Sequence, residues 1–343
     1  MNFCRRAVLG TAISVAMLAS GLPAQAQEVL NLYSSRHYQT DEALYAGFTE
    51  LTGIEINRIE GEGDALIERI KSEGQNSPAD VFLTVDVGRI WRAEEAGLFQ
   101  PVESAALDKA VPENLRHPEG LWYGFSARAR LIFYAKDTVE PGAIKDYEDL
   151  ADPKWKGKVC IRSSSNVYNQ SLLSSIIAAD GEEGARTWAQ GVVDNFARKP
   201  VGGDTDQLRG LGAGECDIAV ANSYYFVRLM INPSDKDKGL ADKIGWVFPN
   251  QDGRGTHVNI SAAGVLKYAP HKAAAVKFLE YLASPQAQRY FADGNNEYPV
   301  VPGVEPNEAL KELGDFKVDP VNVSVYGKNQ AKAQMIFDSV GWN

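Results

Sequence analysis

Histidine and cysteine are scarce in this chain, at four and three of 343 residues. No Cys or His pairs fall at the spacings that hold zinc. With His37, His117, His257 and His271 the only imidazoles, acid–base catalysis has few candidates. His-Glu-x-x-His, Gly-x-Ser-x-Gly and a phosphate-binding glycine loop are absent, and no Ser-His-Asp order suggests a triad. The expectation is therefore a binding protein and not an enzyme. Basic charge is also in deficit: 35 Lys and Arg stand against 45 Asp and Glu, a formal net charge of −10. Such a surface disfavours nucleic acid or anionic membrane as a partner. Beyond the N-terminus no apolar run is long enough to span a bilayer, so no membrane insertion of the mature chain is expected. Repeats, low-complexity tracts and flexible linkers are missing too.

What is present begins with a leader. Arg5 and Arg6 precede an apolar stretch from Ala7 to Ser20, and Ala24-Gln25-Ala26 is a small-x-small cleavage pattern. Residues 1–26 therefore read as a secretory signal peptide, and the mature chain is expected to be periplasmic. The paired arginines suit the twin-arginine route, whereas Cys4 stands where Ser or Thr is usual, so general and twin-arginine export both remain open. The chain is long for one hydrophobic core, and two domains are expected. Cys160 and Cys216 each lie at or beside a predicted strand; an oxidising compartment allows a disulfide between them, and two structural thiols are equally compatible with the spacing.

Short apolar runs alternate with longer helical patterns, the mark of an α/β architecture with mostly parallel sheets. Strands are predicted at 29–33, 54–59 and 80–84, with helices at about 40–52, 64–73 and around Ile90. Leu121–Tyr134 reads as one long strand leaving the first lobe. A second series follows: strand 157–161, helices 166–179 and 187–195, a short helix 207–211, and strand 216–221 running into a helix. Val258–Val265 reads as a return strand, followed by helices 272–282 and 285–291, and the tail from Asn307 is mixed.

In open α/β sheets ligands sit beyond the carboxyl ends of strands. Tyrosine falls there three times: in Ser34-Ser35-Arg36-His37-Tyr38, in Arg162-Ser163-Ser164-Ser165-Asn166-Val167-Tyr168, and in Asn222-Ser223-Tyr224-Tyr225. Helix neighbours point about 100° apart, so Tyr224 and Tyr225 cannot share one core face, but at a strand–helix junction both can lean into a cleft. Ionising one phenol at neutral pH costs roughly 4 kcal/mol, and four cost on the order of 16. Only a highly charged cation offsets that, and Fe3+ is a hard acceptor suited to phenolate oxygen. Four phenolates overcompensate a trivalent ion by one charge, and Arg36, Arg128 and Arg228 are the candidates to balance it. The serine run before Tyr168 could cradle an anion or simply cap a helix.

At these residues the chain resembles the periplasmic ferric-ion-binding proteins of bacterial ABC importers, in their tyrosine-rich Fut-type branch. The matching stretches are Leu32–Tyr38, Ser77–Val81, Ser126–Arg130, Arg162–Gln170 and Ala221–Tyr225. The resemblance implies a type II periplasmic-binding-protein fold of two lobes joined by two crossing strands, with iron held between them by Tyr38, Tyr168, Tyr224 and Tyr225; for His37 three places stay open, as a fifth ligand, as an outer-shell group, or turned away. The lobes are expected at 27–128 plus 260–305 and at 129–259 plus 306–343, in a monomer that delivers Fe3+ to an importer permease; Fe2+ could enter with fewer ionised tyrosines. Another branch of the family uses a glutamate after the third strand together with a bound anion. Here Val85 and Asp86 stand at that place, and no obligatory anion is expected. The competing reading keeps the fold and changes the cargo to a polyamine or small organic anion.

Overall fold

The computed structural model describes residues 28–36 and 38–343; the expected signal peptide and His37 lie outside the described residues. In chain order the strands are β1 (Val29–Ser34), β2 (Glu55–Glu60), β3 (Val81–Val85), β4 (Tyr123–Ala135), β5 (Val159–Cys160), β6 (Ile218–Asn222), β7 (Ile244–Val247), β8 (Val258–Val265) and β9 (Tyr298–Pro299). The helices are α1 (Asp41–Thr52), α2 (Gly63–Glu73), α3 (Val87–Glu95), α4 (Ala105–Ala110), α5 (Val167–Asp194), α6 (Asp204–Gly212), α7 (Ser223–Ile231), α8 (Lys272–Leu282), α9 (Pro285–Asn295), α10 (Glu308–Lys311) and α11 (Ser324–Val340).

The strand order is β2-β1-β3-β8-β4-β6-β5, with β7 and β9 also paired to β4. β1 runs parallel to β2 and β3, and β5 parallel to β6, as βα units require. The two long strands between these units are antiparallel to their neighbours: β8 to β3, and β4 to both β8 and β6. Mostly parallel pairing thus describes the βα units and not the middle of the sheet. There the chain returns directly between halves, with no crossover helix to turn it. β4 pairs with β8 through Ala129 and with β6 from Arg130 onward. One continuous strand therefore serves both halves, buried from Tyr123 to Phe133.

Hydrophobic periodicity placed most elements. The two helices expected after Asn166 form α5, broken at Gly181, whose φ of 74° no helical residue adopts. The tail departs from the mixed expectation, since Ser324–Val340 is one helix. It buries Ser324, Gly327 and Gln330 beside Ala333, Ile336 and Phe337, so polar and small residues face inward and blur the apolar stripe. β7 and β9 are too short to show an alternation. Among the described residues no helix is long and apolar enough to cross a membrane.

Cys160 and Cys216 form a disulfide with Cα atoms 5.8 Å apart. It closes on parallel neighbours, because Cys160 is in register with Ala219 and Cys216 lies just before β6. The closed loop spans 56 residues of sequence separation. The Cys160→Ser/Cys216→Ser variant is expected to lose about 2–4 kcal/mol against urea, chiefly through a freer unfolded chain. Adding reductant should shift the wild-type unfolding midpoint toward that of the variant and leave the variant unmoved.

Candidate metal centre

Three strand ends deliver the tyrosines. After β1, Ser35 Oγ bonds Thr84 Oγ1 at 2.6 Å and its N–H donates to the Leu83 carbonyl, tying the loop to β3. Arg36 is wholly buried. It grips Asp41 with two bonds of 2.9 and 3.0 Å, donates to Ser261 Oγ at 2.6 Å, and reaches Glu297 at 3.0 Å. A guanidinium so paired is fixed in position and neutralised. It lies 5.0 Å from the Tyr38 ring centroid and supports that ring from beneath.

Tyr168 lies in the first turn of α5, where the N-cap Asn166 Oδ1 accepts its N–H at 3.1 Å. Helix capping thus accounts for the polar run before it, the blander of the two expectations. Tyr224 and Tyr225 open α7 directly after β6, with ring centroids 4.3 Å apart. The Tyr168 and Tyr224 hydroxyl oxygens are 3.4 Å apart.

A buried network that sequence reasoning missed sits below both helix starts. Arg130 Nη1 donates to Asp204 Oδ2 at 2.8 Å and to Asn222 Oδ1 at 3.1 Å, and Nη2 donates to Asn169 Oδ1 at 2.8 Å. The Asn222 N–H donates to the same Asp204 oxygen, and Asn169 holds the Arg162 carbonyl at 2.7 Å. One arginine on β4 thereby spaces the starts of α5 and α7. The only hint in the sequence was the Arg128–Arg130 spacing, which puts both side chains on one face of the strand.

Arg128, Arg130 and Arg162 stand 5.8, 5.8 and 5.4 Å from the Tyr168 ring. Arg228 stands 5.5, 5.1 and 5.8 Å from the rings of Tyr38, Tyr224 and Tyr225. Arg128 is buried and donates to Ser261 Oγ at 3.1 Å, while its Nε and Nη2 find no hydrogen-bond acceptor among the described residues. Of the residues singled out from sequence, the fold gathers Tyr38, Tyr168, Tyr224, Tyr225, Arg128 and Arg228 in one place. Arg36 stands against the Tyr38 ring as well, with its charge paired to Asp41 and Glu297.

Burial dominates the electrostatics. It pushes the Tyr38 phenol up to about 12, helped by the phenol of Tyr168 and the carboxylate of Glu297 and opposed by Arg36 and Arg128. Burial and the neighbouring phenols, Tyr168 first, also hold Tyr224 and Tyr225 well above the ordinary phenol range. These groups are neutral at pH 7 when nothing is bound. Among the described residues no group of three His, Cys, Asp or Glu could hold a metal. The oxygen-rich cluster is made of phenols.

A family model described as bacterial extracellular solute-binding protein matches residues 76–318. Iron uptake protein A2 of a Synechocystis strain is 53% identical over 338 residues, spanning 97% of this chain and 96% of that protein. Among solved structures, a Trichodesmium protein (IdiA, FutA) in complex with iron and citrate ligands superposes with a TM-score of 0.89 at 59% identity, covering 92% of this chain and 100% of that one. The ferric binding protein from Campylobacter jejuni superposes at 0.87 with 41% identity, again covering 92% of this chain and 100% of its own.

The Arg130–Asp204 pair is 2% and 0% exposed. Asp204→Asn strands a buried cation and should cost about 3–5 kcal/mol, read from the urea midpoint.

Proposed function

The chain belongs to the bacterial extracellular solute-binding proteins, and from that membership we propose that it captures ferric iron through its tyrosine cluster and delivers it to an ABC-type importer. The neighbours it superposes on have the type II periplasmic-binding-protein fold, and this chain shares it. The lobes are 27–128 with 260–305 and 129–259 with 306–343, hinged on β4 and β8. The protein works as a periplasmic monomer and carries its cargo unchanged, without catalysis.

The observation that carries this reading is the meeting of phenols from both lobes within a ring of arginines. Tyr168, Tyr224 and Tyr225 come from the second lobe, and Tyr38 from the first. Arg228 of the second lobe lies against Tyr38 of the first. The charges of the described residues then discriminate among cations. Arg36, Arg128, Arg130, Arg162 and Arg228 bring five positive charges around the phenols, and Asp41, Asp86, Asp204 and Glu297 bring four negative ones. Four phenolates on Fe3+ carry one negative charge, which the surplus arginine charge cancels. A divalent ion in the same shell leaves the site negative, so Fe2+ fits only with a phenol still protonated. Reduction of the cargo therefore loosens it.

A polyamine would need carboxylates free to face it. Asp41, Asp204 and Glu297 are bound to arginines, and Asp86 accepts three hydrogen bonds. A small anion would have no use for four convergent phenols.

Ferric phenolates absorb visible light by charge transfer, so adding Fe3+ should colour the protein orange to red. Tyr224→Phe and Tyr225→Phe should each shift or remove the band. Each should weaken binding by on the order of 100-fold or more, because even the outer partners of metal ligands are worth about 10–100-fold. Unchanged spectra in both would remove the pair from the ligand shell. Since Tyr38, Tyr224 and Tyr225 are protonated in the empty site, iron must displace their protons. Affinity should therefore fall as pH drops, by roughly tenfold per unit for each proton displaced. Competition with a chelator of known pH dependence between pH 5 and 8 measures that slope, and a flat profile would contradict phenolate ligation.

A further inference from the structure

Asp86, at the end of β3, has a φ of 78°, a backbone state that favours glycine, yet it keeps a side chain and is fully buried. Its Oδ1 accepts from the Gly88 N–H at 2.8 Å and from Ser171 Oγ at 2.7 Å, and its Oδ2 accepts from Asn259 Nδ2 at 2.8 Å. Those donors belong to three parts of the molecule. Gly88 is in α3 of the first lobe, Asn259 is on the crossing strand β8, and Ser171 is on α5 of the second lobe, one helical turn beyond Tyr168. The contact continues, because Gln330 Nε2 of α11 donates to Ser171 Oγ at 3.3 Å and Arg92 Nη1 of α3 donates to Gln330 Oε1 at 3.3 Å. A Cβ on Gly88 would fall 1.6 Å from Gln330 Nε2, so any larger residue there must push the Gln330 amide aside.

We propose that Asp86 and Ser171 are the clasp that holds the two lobes shut over the cargo, retaining the metal without touching it. This rests on the reading that the lobes close on iron. No cation is hydrogen-bonded to the Asp86 carboxylate among the described residues; its hydrogen bonds come from hydroxyl, amide and backbone donors, with Arg128 as the countercharge. When the second lobe swings away, Ser171 leaves and Oδ1 keeps a single partner. Opening therefore exchanges a hydrogen bond to the carboxylate for one to water, at the net cost of a bond to a charged group. Closure restores the bond and brings the Tyr168 end of α5 to the first lobe in the same movement. Asp86 is the N-cap of α3, and the same Oδ1 that accepts from Gly88 also accepts from Ser171 of the second lobe. The closed fraction multiplies the intrinsic affinity of the tyrosines, so the clasp sets retention and Asp86 and Ser171 are positioning residues.

The test compares Ser171→Ala, Ser171→Thr and Gly88→Ala with the wild type. The readouts are the ferric charge-transfer spectrum, the rate of iron loss to excess EDTA, and small-angle X-ray scattering with and without Fe3+. Ser171→Ala should keep the wild-type band position, because all four phenols remain. It should lose iron about 10- to 100-fold faster, the range expected for one hydrogen bond to a charged group, and its iron-free scattering should be more open. Ser171→Thr, which keeps the hydroxyl, should return toward the wild type. Gly88→Ala should displace Gln330 and speed release in a helix made no weaker. Wild-type release and scattering in Ser171→Ala would overturn the clasp, as would equal impairment of the Ala and Thr variants. A wild type with no band at all would fail the iron reading instead, and the scattering comparison would then decide the clasp alone.

Discussion

Four phenols crowded together and walled by arginines set the terms for the rest of this molecule. Desolvation and mutual repulsion hold three of them high, with Tyr38 pushed up to about 12 and Tyr224 and Tyr225 also far above a free phenol. Ionising Tyr38 alone at pH 7 costs about 7 kcal/mol. As the proposed ligands, such phenols disfavour weakly charged ions without any steric filter, because only a strong Lewis acid offsets the cost of ionising them. Arginine supplies the countercharge without becoming a ligand, since a guanidinium has no lone pair to offer and keeps its proton.

Holding such groups together requires a scaffold that does not relax them apart. The fold meets this need at two depths. Near the surface of the cleft each tyrosine-bearing segment is fixed by its own cap or loop bonds: Arg36 with Asp41 behind Tyr38, Asn166 before Tyr168, and the β6–α7 junction before Tyr224. Deeper in, Arg130 and Asp204 join the second and third of these segments, and the Cys160–Cys216 bridge ties the strands beneath them. A buried ion pair is weak as a source of stability, because desolvation offsets most of its attraction. Its use here is register: a bidentate arginine on β4 can be satisfied only when both helix starts stand at one separation. The two halves are joined through β4 and β8, the hinge on which the proposed closure moves Tyr38 toward the other three.

Much of this was readable in advance. Tyrosines recurring after three predicted strands come together in the structure, because residues at strand ends line the cleft of an α/β sheet whatever the details of packing. The long strand from Leu121 and the return strand from Val258 stood out by their length and unbroken apolar character. Other features left no such trace. Asp204 looks like an ordinary acidic residue in a helix start, and Glu297 lies 261 positions from the arginine it neutralises. Arg36 looked like a balancing charge for the metal because it sits two residues from Tyr38, yet its charge is already met by Asp41 and Glu297. Proximity in sequence says nothing about which carboxylates arrive from elsewhere. α11 escaped detection because its inner face carries Gly327 and Gln330, chosen for fit against α3 and α5 and not for hydrophobicity.

The sequence by itself determined the kinds of element, their order, and the chemistry available at each strand end, because periodicity and residue type act within a few neighbours along the chain. Tertiary structure alone decided which charges pair, that the two cysteines meet, and that Asp86 faces Ser171 instead of the tyrosines. Each of those outcomes depends on the distance between groups remote in sequence, and a buried charge or thiol is defined by what the rest of the fold brings beside it.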